Sequence, residues 1–170
     1  PNITSIVDVH KHLKAQMANR NDNLMKLSAG LATHQYSQLW KTEAGIFDAT
    51  TKNPSQYMVL NYMKVTPGRE LEYLALENDI ARPLHIERLK QGIMYSWRTF
   101  SLIMPSGAKI GYNFTTADFY NNVENIQFEF TNDVMKNAMP HANVTETLNA
   151  INSTREIQSS ELLQLLLSIE

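Results

Sequence analysis

The chain has no cysteine among its 170 residues. That excludes disulfides, thiolate nucleophiles and cysteine-held zinc or iron–sulfur centres. Charge of one sign is also lacking. Fifteen basic residues face seventeen acidic ones, for a net charge of -2, so nothing steers the chain toward nucleic acid or an anionic membrane. Long apolar runs are absent: none exceeds four residues, as in Tyr57-Met58-Val59-Leu60 and Tyr73-Leu74-Ala75-Leu76, and the tail holds Leu165-Leu166-Leu167. A membrane-spanning helix needs about 18 or more such residues, so no membrane span is expected. No glycine-rich phosphate loop, G-x-S-x-G elbow or H-E-x-x-H pair occurs. The histidines His10, His12, His34, His85 and His141 are scattered, and no metal, haem or other cofactor is expected. The sequence begins at Pro1. It reads as exported or periplasmic if a leader precedes that residue, and otherwise as cytoplasmic.

Apolar residues make up 43% of the chain, enough for a single domain with a real core. The organising stretch is Gln56 to Tyr120. Gln56 to Val65 reads as a strand with apolar residues on both faces, ended by Thr66-Pro67-Gly68. A helix is predicted from about Arg69 to Gln91. Pro83 breaks or kinks it around Asp79 to Arg82, and Gly92 closes it. Strands follow at Gly92 to Met104 and Lys109 to Tyr120, joined by the Pro105-Ser106-Gly107 turn.

The flanks are less regular. Asp8 to Leu27 has a modest apolar stripe interrupted by Asn19, Asn21, Asp22 and Asn23, which suits two short helices. His34 to Phe47 is open between a helix face and a short strand, and Asp48 to Ser55 reads as loop. Beyond the centre, helices are predicted at Asp118 to Met139, with a broken start, and at Val144 to Ile157. A last strand is predicted at Glu161 to Ile169. The resulting division is a helical extension and linker over 1–55 and an α+β domain over 56–170.

One segment carries a family resemblance. Tyr57-Met58-Val59-Leu60-Asn61-Tyr62-Met63-Lys64-Val65, followed by Thr66-Pro67-Gly68-Arg69-Glu70, resembles the opening strand and K-V-x-P-G-[KR]-E turn of the dimeric α+β barrel superfamily. Pro83-Leu84-His85, Lys90-Gln91-Gly92, Trp97 and Pro105-Ser106-Gly107 resemble uncharacterised Bacteroidetes-type members. The resemblance covers residues 56–120 well and 121–170 loosely. It implies a ferredoxin-like β-α-β-β-α-β domain whose sheet meets a second subunit's to close a barrel. A homodimer is therefore expected. Apolar residues on both strand faces argue the same way, since a monomer would expose a broad apolar sheet. The superfamily's chemistry is diverse, so the resemblance fixes no activity.

The candidate residues follow from position and type. His85, on the helix after Pro83, is a candidate base or orienting group in a cleft between helix and sheet; the alternative is a capping or packing histidine. Tyr95, Trp97 and Tyr112 are candidate walls for a small aromatic ligand, against a plain role as strand formers and core filler. Asn61 and Asn113 are amides within a doubly covered strand and need partners, either a ligand or a neighbouring backbone group. Three functions stay open. They are a homodimeric small-molecule binding protein, a cofactor-independent monooxygenase acting on an aromatic substrate with His85 as proton acceptor, and a structural or interaction module.

Overall fold

The computed structural model describes residues 37–46, 54–105, 107, 109–127 and 130–166. The helices expected between Asp8 and Leu27 lie outside the described residues, as does most of the 48–55 loop. Gln38–Glu170 is one compact unit.

Five strands form one antiparallel sheet: β1 (Leu39–Ile46), β2 (Tyr57–Val65), β3 (Ser96–Met104), β4 (Phe114–Tyr120) and β5 (Arg155–Gln164). Their spatial order is β1-β3-β4-β2-β5. The open choice for His34 to Phe47 resolves as strand, and β1 lies within the stretch assigned to the N-terminal extension. From β2 to β5 the chain runs strand, helix, strand, strand, helix, strand.

The expectation of a dimeric ferredoxin-like barrel is overturned. A barrel needs its first and last strands in hydrogen-bonded register. Here β1 and β5 are opposite edges separated by three strands, and the sheet is open and uncurled. The barrel-closure argument for a homodimer goes with it, and the half-buried apolar residues on the second sheet face remain as its other ground.

The helical layer begins after β2. Gly68, at φ +86, turns the chain, and the Arg69 amide donates to Thr66 O at 3.0 Å. Helix α1 (Glu70–Leu76) runs into a π-helical turn, Glu77–Ala81, and then into α2 (Arg82–Lys90). The Arg82 amide reaches back five residues to Glu77 O. The interruption predicted from Pro83 is therefore a wide turn inside a continuous helical run. At its end the Gly92 amide donates to Leu89 O and the Ile93 amide to Arg88 O, both at 3.0 Å, with Gly92 at φ +71.

After β4 come a 3₁₀ turn (Val123–Gln127), α3 (Asn132–Ala138) and α4 (Val144–Thr154). Thr131 caps α3 by accepting from the Val134 amide. Asn143 caps α4 by accepting from the amides of Thr145 and Glu146. Several boundaries differ from the sequence reading. β3 starts at Ser96 and β4 at Phe114, and Asp118 lies in β4 instead of opening a helix. α4 stops at Thr154, whose buried hydroxyl donates to Ile151 O at 2.7 Å, and β5 starts at once. β5 pairs with β2 of its own sheet.

The helices cover one sheet face. Met63, Val65, Tyr73 and Phe114 form one buried cluster; Leu84, Val134 and Met135 form a second; Met94, Trp97 and Tyr120 form a third. These clusters border a chamber between helices and sheet. On the other face Met58, Leu60, Tyr62, Phe100, Leu102 and Phe119 are half-buried. Among the described residues, no helix is long and apolar enough to cross a membrane.

Candidate functional site

The chamber holds about 460 Å³ between the sheet and the helices. Strand alternation sets its floor. β2 sends Val59 and Asn61 inward, β4 sends Thr116, Asp118 and Tyr120, and β3 sends Trp97. β5 adds Arg155, Ile157 and Ser160 from the edge. The roof comes from the helical run. Glu77, Ala81 and His85 are spaced by four, and Arg88 follows three residues on. Ile126, Phe130, Leu148 and Ile151 complete the walls.

The walls mix aromatic and aliphatic side chains with polar and charged ones in about equal measure. His85 stacks on Trp97, with centroids 4.9 Å apart and planes at 23°, and lies 5.4 Å from the Phe130 ring. The Arg88 guanidinium sits over the rings of Tyr120 and Phe130, at 5.7 and 5.5 Å. It also donates to the Tyr120 hydroxyl at 3.0 Å and approaches His85 Nδ1 at 3.4 Å.

A polar chain crosses the floor. The Ser160 hydroxyl donates to Asn61 Oδ1 at 2.7 Å, which turns the amide so that Nδ2 faces β4. Asn61 Nδ2 then donates to Asp118 Oδ2 at 3.3 Å and to Thr116 Oγ1 at 3.4 Å. The other carboxylate oxygen, Asp118 Oδ1, is closed off from solvent and has no hydrogen-bond partner among the described residues. Arg155 Nε and Trp97 Nε1 are in the same condition. Unpartnered buried polar atoms are rare and call for a reason.

Burial shifts the chamber's titratable groups. Asp118 rises from 3.8 to about 6 because desolvation outweighs the nearby charges of Arg88 and Arg155 and the Asn61 hydrogen bond. Burial also raises Glu77, against the Tyr73 hydroxyl and the Arg155 charge. It pushes His85 well below the usual imidazole range, and Arg88 adds to the effect. Of these groups, Asp118 is the one placed to exchange a proton near neutral pH. His85, expected from sequence as a base, turns its Nδ1 toward Arg88 and stays neutral.

The six sequence candidates fall in three places. His85, Asn61 and Trp97 line the chamber together. Tyr112 and Asn113 line a separate cavity of about 310 Å³ beside the Pro105 turn. Tyr112 stacks on Trp40 at 6.1 Å and contacts Tyr62 at 4.9 Å, on the sheet face away from the helices. The Asn113 amide is held by backbone: its Oδ1 accepts from the Val65 amide at 2.7 Å and its Nδ2 donates to Val65 O at 3.2 Å. Tyr95 is half-buried just ahead of β3, and it is not one of the chamber's lining residues.

Sequence reasoning missed Glu77, Arg88, Asp118 and Arg155. Glu77 and Arg88 are charged residues of the helical run, yet they are 2% and 4% exposed. Two signals could have found some of these residues. The four-residue spacing Tyr73, Glu77, Ala81, His85 marks one helix face, and the alternation Phe114, Thr116, Asp118, Tyr120 continues one strand face. Nothing in the sequence singles out Arg155.

No protein-family model matches this chain, and no curated protein matches it. The fold and chamber define it as an open-sheet α+β protein. The monooxygenase expectation rested on the barrel resemblance and on His85 as proton acceptor; His85 and Asn61 do line one cavity, but burial lowers the basicity of His85, which makes it a weak acceptor. Among the described residues, no group of three or more His, Asp or Glu side chains is placed to hold a metal ion.

Proposed function

We propose that this protein binds a small ligand with a flat ring, held in the chamber between the helices and the sheet. The observation that carries the reading is a cavity of about 460 Å³ whose walls combine aromatic and aliphatic side chains with as many polar ones. Volumes of about 300–1,000 Å³ are usual for small-molecule sites. The half-buried Phe130 supplies a ring face against which a planar ligand can lie, backed by the stacked His85 and Trp97. Two arginines and two carboxyl groups line the cavity, so their charges balance when both acids are ionised, which favours an uncharged ligand.

The test is thermal unfolding across a set of small neutral aromatic compounds, repeated on Ala81→Phe. Ala81 is buried and lines the chamber, so a phenyl ring placed there occupies ligand volume. A binder present at about a hundred times its Kd should stabilise the wild type by roughly 2.7 kcal/mol, a shift of several degrees. The variant should fold and lose the response. Equal responses from both proteins would place binding elsewhere, and no response to any compound would remove the reading.

A further inference from the structure

We propose that the chamber's ligand is an uncharged hydroxylated ring compound, and that its hydroxyl donates to Asp118 Oδ1. This rests on the chamber being a ligand site and deepens that reading.

The argument starts from the floor of the chamber. Asp118 offers two carboxylate oxygens. Oδ2 is engaged by Asn61 Nδ2, while Oδ1 is closed off from solvent and has no hydrogen-bond partner among the described residues. A buried acceptor in that state discriminates strongly for a molecule that brings a donor, because the analogue without one leaves the acceptor unpaired. Asn61 cannot turn to serve both oxygens. Its own Oδ1 accepts from the Ser160 hydroxyl, so its amino group is fixed toward Oδ2 and Thr116. Ser160 and Asn61 are thus positioning residues for the Asp118 carboxylate. They set which oxygen is left for the ligand.

The same relay predicts what Asp118→Asn does. The new side chain would meet the Asn61 amino group at the Oδ2 position, and two amino groups cannot hydrogen-bond there. The carbonyl of the substituted side chain therefore takes that place, and its amino group takes the other. The atom at the Oδ1 position changes from acceptor to donor while shape and volume stay the same. The charged and titratable groups around Asp118 are Arg88 and His85 from α2, Glu77 from the π turn, Arg155 from β5 and Tyr120 from its own strand. His85 stays neutral, and Asp118 itself titrates at about 6. Hydroxyl binding should therefore weaken as the carboxylate takes up its proton.

The experiment titrates the full chain with 2-naphthol and with 2-methoxynaphthalene, which share a ring body and differ in the donor, using ligand-observed NMR. At about pH 7.5 the wild type should prefer 2-naphthol by about tenfold, the size of one hydrogen bond to a charged group. The preference should shrink at about pH 5, where Asp118 is protonated. Asp118→Asn should abolish the preference, because either probe's oxygen can accept from the amide, and remove its pH dependence. Equal binding of the two probes to the wild type would overturn the donor requirement and leave the chamber reading standing. A preference that is unchanged in Asp118→Asn, or unchanged between the two pH values in the wild type, would also overturn it. The pH comparison needs no variant, so it decides the matter even if Asp118→Asn does not fold. Failure of both probes to bind, together with no thermal response to other neutral aromatics, would remove the chamber reading itself.

Discussion

Asp118 shows how one side chain carries both a cost and a use. Its carboxyl group is held at about 6 against 3.8 for the free group, with burial as the main cause. At about 1.4 kcal/mol per unit, that difference is a penalty of roughly 3 kcal/mol when the group is ionised. The sign follows from proton uptake. Between 3.8 and about 6 the folded protein holds more protons at this site than the unfolded chain, so stability falls as pH rises through that window. The penalty is absent below the window and complete above it. Asp118→Asn keeps an acceptor for Asn61 and removes the charge, so it should be more stable than wild type at neutral pH by up to about 3 kcal/mol. The advantage should vanish near pH 4. Urea denaturation of both proteins across that range reads the difference directly, and an advantage that does not vary with pH would show that Asp118 is not desolvated. Asn113 makes the complementary point about what sequence can say. It lies just ahead of β4 and not within a covered strand, yet its part-buried amide still needs partners. Whether those partners are a ligand or the Val65 backbone depends on where β2 lies, which the sequence does not state.

At the scale of elements, the π turn decides what the roof of the chamber contains. Pro83 lacks the amide that would return to residue 79, and the sequence shows that a regular helix cannot pass through unchanged. It does not show whether the chain kinks, breaks or widens. Widening keeps α1 and α2 in one run and lets Tyr73, Glu77, Ala81 and His85 all face inward. A regular helix turns by about 100° per residue, so the twelve steps from Tyr73 to His85 would leave the two about 120° apart without the wide turn, and eleven steps would leave them about 20° apart. Deletion of the exposed Asp79 should therefore give a regular helix that keeps both facing the sheet, at a cost of about 3 kcal/mol from Pro83 inside it. Pro83→Ala in the deletion variant should recover most of that loss in urea denaturation, and no recovery would show that the wide turn does more than accommodate the proline. The boundary between α4 and β5 was illegible for a different reason. The helical pattern of Val144 to Ile157 runs past Thr154, and only tertiary pairing of Arg155 with Val65 across the sheet ends it there.

For the whole molecule, the α+β class was legible because strand alternation, the helical stripe and the turn residues agree with one another from Gln56 to Tyr120. Closure was not legible. Apolar residues on both faces of a strand say that both faces are covered or partly covered, and they do not say by what. The order β1-β3-β4-β2-β5 leaves β5 as an edge, with Ile157, Leu162 and Leu163 exposed by 52%, 57% and 40% along it. Edges of this kind are kept from further pairing by irregularity and charge. β5 has both: a register shift opposite Tyr62 and Met63, and the carboxylates Glu156 and Glu161. Amide hydrogen exchange tests the open edge. β2 and β4 have neighbours on both sides, so their amides should exchange at rates set by global unfolding. Among the described residues β5 has only β2 beside it, so the amides it turns away from β2 should exchange nearly as fast as unstructured chain while those facing β2 stay protected. Uniform protection along β5 that disappears on dilution would mean that a second chain adds a strand there. Uniform protection that survives dilution would mean that another part of the same chain covers the edge. Fast exchange confined to alternate β5 residues is the expected result, because an open sheet leaves half of its edge amides without a backbone partner.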